Sequence, residues 1–382
     1  MAVERDTVGT VEDLHASASK VTGLDDFGPD DHLEGLRVLL DSYEREAQLT
    51  PAGKKTKRAF LRGALAARAM SEQAWRNHPE HADVAIDRPI FVTGLPRTGT
   101  TALHRLLAAD PAHQGLEAWL AEVPQPRPPR DTWADDPVFQ AIQDGYQRHR
   151  IEHPEFMGVH YMAADEVEEC WQLLRQSAMS VSYECLAHVP SYSAWLSEQD
   201  WTSAYRRHRK NLQLIGLADT DRRWVLKNPS HLFALDELLT AYPDAIVIQT
   251  HRDPRTAMAS MCSLSVHAAG EWSEGFHGER VGRDQLQLWA RGLAKFREAR
   301  QRHERRDGPA RFHDVAYDDF VADPIGTVRG IYERFSVPLS DDALAAMRRL
   351  AAGSARGSAP AHRYQLADFG ITAEEVDARF AV

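Results

Sequence analysis

The chain is poor in cysteine, with only Cys170, Cys185 and Cys262 in 382 residues, and no two of them form a Cys-x-x-Cys pair. Neither a zinc site nor a disulfide framework is indicated, and no metal is expected. No apolar run approaches the ~18 residues that a membrane span requires. The opening Met1-Ala-Val-Glu-Arg-Asp6 lacks the apolar stretch of a secretory leader, so a cytoplasmic protein is the expectation. No internal repeat and no low-complexity tract is present. Positive charge is not in excess: Lys and Arg total 45 against 56 Asp and Glu, a net charge of −11. That balance argues against nucleic acid as a partner. It also means that any anionic ligand must be drawn by a local basic patch.

Hydrophobic residues make up 43% of the chain, enough for one large core with additions. The informative segment is Arg88-Pro-Ile-Phe-Val-Thr-Gly-Leu-Pro-Arg-Thr-Gly-Thr-Thr101. Ile90, Phe91 and Val92 read as a buried strand, and Gly94 to Gly99 as a turn. Leu103, Leu106 and Leu107 carry helical spacing. Strand, Gly-rich loop and helix form an anion cradle, because backbone N–H groups at a helix start favour negative charge. The spacing Gly-x-x-x-x-Gly-Thr-Thr departs from the nucleotide triphosphatase loop in one respect. Thr100 stands where Lys is needed, and the cation moves to Arg97.

Two further segments share this design. Trp224-Val-Leu-Lys227 precedes Asn228-Pro229-Ser230-His231 and a helix expected over 232–242. The run Ala245-Ile-Val-Ile248 precedes His251-Arg-Asp-Pro-Arg255 and a helix carrying Ser260. Alternating strands and helices imply a parallel sheet, whose loops all emerge at one carboxyl edge. Arg97, Lys227 and Arg252 can therefore converge. The motif segments also hold Arg105, His251 and Arg255, so a basic cleft is expected in an acidic protein. Asn228-Pro229 and Asp253-Pro254 read as helix caps followed by Pro, adding two positive helix ends at that edge.

Pro96-Arg97-Thr98-Gly99-Thr100-Thr101 resembles the 5′-phosphosulfate loop of sulfotransferases. Arg252 and Ser260 keep the spacing with which that family holds a 3′-phosphate. The resemblance runs from the N-terminal helices to the tail His362-Arg-Tyr-Gln-Leu-Ala-Asp-Phe-Gly370, and is nearest to bacterial members with the Leu-Pro-Arg-Thr-Gly-Thr-Thr loop and the His-Arg-Asp-Pro motif. It implies an α/β fold, a P-loop-like open parallel sheet flanked by helices. An N-terminal helical extension would occupy 1–86, and the main domain 87–382. A helical insertion at about 138–216 would form much of the acceptor pocket. Within it, helices are expected over 138–151, 164–183 and 198–216. Trp171, Tyr192, Trp195, Trp201 and Tyr205 suit either core packing or the lining of that pocket.

The implied reaction moves a sulfuryl group from 3′-phosphoadenosine 5′-phosphosulfate to a hydroxyl or amine of a small-molecule or lipid-like acceptor. Arg97, Thr98, Gly99, Thr100 and Thr101 would hold the 5′ side, with Arg97 and Lys227 acting on the transferring group. Arg252, Ser260 and, more loosely, Arg356 would hold the 3′-phosphate. For the general base the resemblance points to the histidine near Lys227, here His231, while Glu168 and Glu169 are alternatives. Ala102 stands where many relatives have a Trp that stacks on adenine, so the base must be held otherwise. Two other readings compete: a small-molecule kinase using ATP, and a non-catalytic module that binds adenosine phosphates. The kinase reading lacks the loop Lys and a strand ending in a magnesium-binding Asp. Neither the acceptor nor the oligomeric state is legible here.

Overall fold

The computed structural model describes residues 7–152, 162–354 and 364–380. Five strands form one parallel sheet: β1 (Ile90–Gly94), β2 (His113–Gln114), β3 (Arg223–Lys227), β4 (Ile246–His251) and β5 (Phe312–Ala316). Their spatial order is β2-β3-β1-β4-β5. Ile90 lies beside Val225 on one flank and Ile246 on the other, and Val247 lies beside Phe312. Helices cover both faces, so the strands read as unbroken apolar runs rather than alternating ones. The two-residue period still decides which face each side chain takes. Ile90, Val92, Val225, Ile246 and Ile248 pack in one cluster, and Phe91, Leu226 and Val247 in the other.

Helices α1 (Val11–Thr22), α2 (Leu33–Arg45) and α3 (Pro51–Asn77) precede the sheet. Thr10 and Thr50 cap α1 and α3 through their side chains, and Pro51 occupies the first position of α3, where its missing N–H costs nothing. Leu14, Leu36, Leu39, Leu61 and Leu65 are buried in the same cluster as Phe91 and Leu226. The extension thus shares the core of the sheet rather than building its own.

After β1 comes α4 (Thr100–Ala108), then, within the insertion, α5 (Pro137–Glu152) and α6 (Thr202–Ile215). The helix expected over 164–183 is corrected by the structure. Only Trp171–Arg175 and Ser182–Cys185 are helical there. Residues 166–168 run extended against the segment after β2: Ala118 N–H donates to Glu166 O, and Glu168 N–H to Leu116 O. Cross-chain partners replace the helical ones, and a short helix at Pro190–Ser197 joins the insertion. The expected 232–242 helix also shrinks. Pro229–Phe233 winds as a 3-10 turn before α7 (Leu235–Ala241).

The longer helices after β4 are α8 (Pro254–Ala269), α9 (Gly278–Asp307), α10 (Pro324–Phe335), α11 (Asp341–Ser354) and α12 (Ala373–Phe380). Arg356 lies outside the described residues. No helix among the described residues is long and apolar enough to cross a membrane.

Candidate active site

β1, β3 and β4 are neighbours, and the loops at their carboxyl ends carry the three sequence motifs. At the end of β1, Gly94 has φ 145, and a Cβ there would come within 2.6 Å of Thr250 O. Only glycine allows the chain to turn so close to β4. Thr98 Oγ1 donates to Leu95 O across 2.6 Å and lies 2.6 Å from Thr250 Oγ1, which closes the loop on itself. Arg97 sits at φ 69, a left-handed conformation that is strained for a non-glycine residue and is held here by the closed loop. Gly99, at φ 89, begins α4 without any side-chain cap. That end of α4 therefore presents its N–H donors and its positive dipole end to a ligand.

The other two helix starts carry the expected caps followed by Pro, with a consequence for anion binding. The Asn228 side chain accepts from Ser230 N–H, and the Asp253 side chain accepts from Arg255 N–H and Thr256 N–H. These ends are filled by their own capping residues, so they add little for an external anion. The basic residues divide as well. Arg105 pairs with Glu166, His251 with Asp314 and Arg255 with Asp377. Arg97, Lys227 and Arg252 lie at or just beyond the carboxyl ends of β1, β3 and β4.

Arg97 Nε–H donates to Ser260 Oγ across 3.0 Å. Arg252 donates through Nη1 to Arg97 O, also across 3.0 Å, and its guanidinium lies 4.1 Å over the Tyr317 ring. A planar guanidinium stacked on an aromatic face keeps its fork in one orientation. The sequence had Arg97 and Ser260 on opposite ends of the ligand, yet they touch. Tyr364 adds a donor that sequence reasoning missed: its O–H donates to Ser260 Oγ across 2.7 Å. The tail motif in which it lies was noted, but no role was assigned to the tyrosine.

Lys227, 1% exposed, donates to Thr101 Oγ1 across 3.1 Å and pairs with Glu169 across 2.5 Å. The extended pairing of 166–168 delivers Glu169 to this point, and Cys170 N–H donates to Lys227 O. Glu169 N–H in turn donates to Glu168 Oε1. Burial pushes the Cys170 thiol up to about 12, which removes it as a nucleophile.

His231 is not at the cleft. It is 1% exposed and packs edge-on against Phe91, 5.0 Å between ring centres. Its Nδ1 lies 2.7 Å from the Tyr205 hydroxyl and its Nε2 3.4 Å from Cys170 Sγ. Burial, then the neighbouring His208, holds its pKa well below the ordinary histidine value. The 3-10 turn that replaces the expected helix start points this ring into the core. The sequence assignment of His231 as base is corrected accordingly.

A polar track runs through the insertion. Glu122 accepts from Gln172 across 2.8 Å, and Gln172 accepts from Arg175 across 2.8 Å. Arg175 is fixed by Ser182 Oγ at 2.9 Å and by the faces of Trp171, Phe60 and Tyr183. Burial raises the Glu122 pKa against the opposing pull of Arg175, and Glu168 raises it further. Among the insertion aromatics, Tyr192, Trp201 and Tyr205 are core residues, while Trp171 borders this track. Among the described residues, no group of three or more His, Cys, Asp or Glu is placed to hold a metal ion.

Comparison with known proteins adds to this geometry. A model described as "Sulfotransferase family" matches residues 89–341. The crystal structure of sulfotransferase STF1 from Mycobacterium tuberculosis H37Rv superposes with a TM-score of 0.92 at 58% identity, covering 99% of this chain and 100% of that one. Sulfotransferase STF9 from Mycobacterium avium gives 0.87 at 28% identity, over 99% and 96% of the two chains. The omega-hydroxy-beta-dihydromenaquinone-9 sulfotransferase Stf3 of Mycobacterium bovis is 25% identical over 270 residues, 66% of this chain. The match spans 64% of that relative's length.

Proposed function

The chain belongs to the sulfotransferase family, and from that premise we propose that it transfers a sulfuryl group from 3′-phosphoadenosine 5′-phosphosulfate to a hydroxyl of an apolar, lipid-like acceptor. The observation that carries this reading is the position of Lys227, held between Thr101 of the anion loop and the carboxylate of Glu169. A cation there is flanked by a phosphate cradle on one side and a proton acceptor on the other. The donor supplies an activated sulfuryl group whose leaving group is a phosphate. The uncapped start of α4, with Thr98 to Thr101 and Arg97, suits the 5′ side. Ser260 and Arg252 suit the 3′-phosphate.

In this reading Glu169 removes the proton of the acceptor hydroxyl as its oxygen forms the new S–O bond. The bond from sulfur to the bridging phosphate oxygen breaks, and its electron pair stays on that oxygen. Lys227, Arg97 and the α4 N–H groups neutralise the charge that grows there. Glu169 replaces His231 because it touches Lys227 and lies at the cleft. Gln172, Arg175 and Trp171 would border the acceptor. The named activity of the Mycobacterium bovis relative, on a hydroxylated dihydromenaquinone, is the support for a lipid-like alcohol.

Calorimetric titration with adenosine 3′,5′-bisphosphate, with ATP and magnesium as comparator, tests the donor. Tight bisphosphate binding and weak ATP binding are expected. Transfer of a radiolabelled sulfuryl group to a panel of long-chain alcohols and prenylated phenols then tests the acceptor. Preference for ATP with magnesium overturns the reading in favour of a kinase. Donor binding without turnover across the panel favours a non-catalytic module.

A further inference from the structure

Tyr364 is fixed from the C-terminal side. Beyond it, a 3-10 turn (Leu366–Phe369) is closed by a reciprocal capping box between Gln365 and Asp368. Gly370 reverses the chain at φ 62, and α12 follows. Phe369, Ile371, Val376 and Phe380 are buried in the main core. The Phe369 carbonyl lies so close to α9 that a Cβ on Gly282 would come within 2.0 Å of it. Arg255, in the first turn of α8, donates to Asp377 across 2.8 Å. The tail is therefore a packed part of the domain, and the phenol two residues before its first turn is held in place by that packing.

What the phenol does is donate to Ser260 Oγ, the same oxygen that accepts from Arg97 Nε–H. A hydroxyl oxygen has two lone pairs, and both are now used. Two donors from distant parts of the chain are thus aimed at one point, beside the Arg252 guanidinium. A charged phosphate oxygen is a stronger acceptor than a neutral hydroxyl for the same donors. An anion arriving at Ser260 would meet Tyr364, Arg97 and Arg252 from separate directions.

We propose that Tyr364 is a donor-binding residue whose hydroxyl recognises the 3′-phosphate of an adenosine 3′,5′-bisphosphate. The proposal rests on the donor reading above. It brings the tail, 104 positions from Ser260 in sequence, into ligand recognition.

The test is calorimetric titration of wild type and Tyr364→Phe with adenosine 3′,5′-bisphosphate and with adenosine 5′-monophosphate. Phe keeps the ring and its packing and removes only the O–H. Loss of one hydrogen bond to a charged group predicts bisphosphate binding weaker by about tenfold, with the monophosphate unchanged. A Phe variant that binds the bisphosphate as wild type does overturns the assignment. So does one that loses both ligands alike, because that pattern reports displaced packing. A wild type that fails to prefer bisphosphate over monophosphate overturns the donor reading itself, and this assignment with it.

Discussion

Arg97 and Ser260, 163 positions apart, are joined by a 3.0 Å hydrogen bond, so the loop after β1 and the helix after β4 meet at one point. In the proposed reading Arg97 serves the reacting end by its place in the loop and the 3′ end by its contact with Ser260. Arg97→Ala should therefore lower kcat/KM by about 10²–10³, the usual cost of one preorganised transition-state donor. It should also weaken bisphosphate binding. Because the side chain is only partly buried, the unfolding midpoint should stay near wild type. An active variant, or one that unfolds, contradicts this role.

Glu169 and His231 make opposite predictions. Glu169→Gln leaves Lys227 its hydrogen-bonding partner but removes the basic carboxylate. We expect a large fall in kcat and loss of the acidic limb of the pH–rate profile. Glu168→Gln should retain that limb. His231→Ala instead opens a hole beside Phe91 and Tyr205. It should lower stability by about 2–4 kcal/mol while the limb keeps its midpoint. Thermal melts and pH–rate profiles on the three variants separate the roles.

Much of this site was legible because the chemistry is local. Gly94, Gly99 and the apolar strands before them define the loop, and Pro at helix starts marks the edges. Parallel strands buried on both faces advertise themselves as runs such as Ile246–Ile248. What stayed hidden depends on distant partners. The segment 166–168 is extended only because Leu116 and Ala118 supply its hydrogen bonds. β2 has two residues, too few for any periodicity. The His231 ring direction is set by a 3-10 turn in place of an α-turn, and Tyr364 reaches Ser260 only through tail packing. Motif spacing marked Arg252, which lies against the Arg97 backbone, but it could not show that Asp253 already fills its own helix end.

Lys57 offers a stability test independent of catalysis. It is 1% exposed, donates to Leu186 O across 2.7 Å and lies near the Trp272 and Tyr43 rings. Burial, with a smaller push from Arg175, lowers its pKa from 10.5 to about 7. Below the folded value Lys57 is charged in both states, and the native state bears the whole desolvation cost. Between the folded and unfolded values the unfolded chain binds more protons, so stability rises with pH. Lys57→Met should raise the unfolding midpoint, with a larger gain at about pH 6 than at about pH 9. A gain independent of pH means that Lys57 stays charged in the native state throughout that range.

Gly282 controls the tail mechanically. On α9 its missing side chain lets the Phe369 carbonyl approach, and an added Cβ would stand 2.0 Å from that oxygen. A backbone carbonyl cannot swing aside as a flexible side chain can. Gly282→Ala should therefore cost about 1–3 kcal/mol by overpacking, despite the better helix propensity of alanine. The strain falls on the turn that follows Tyr364, so bisphosphate affinity should fall and proteolysis near the C terminus should quicken. Gly63→Ala in α3 is the matched control, because nothing lies within 4 Å of its added Cβ. There propensity acts alone, and the variant should be unchanged or slightly stabilised. If Gly282→Ala keeps full bisphosphate affinity while the tail is cut faster, Tyr364 contributes nothing to the donor site.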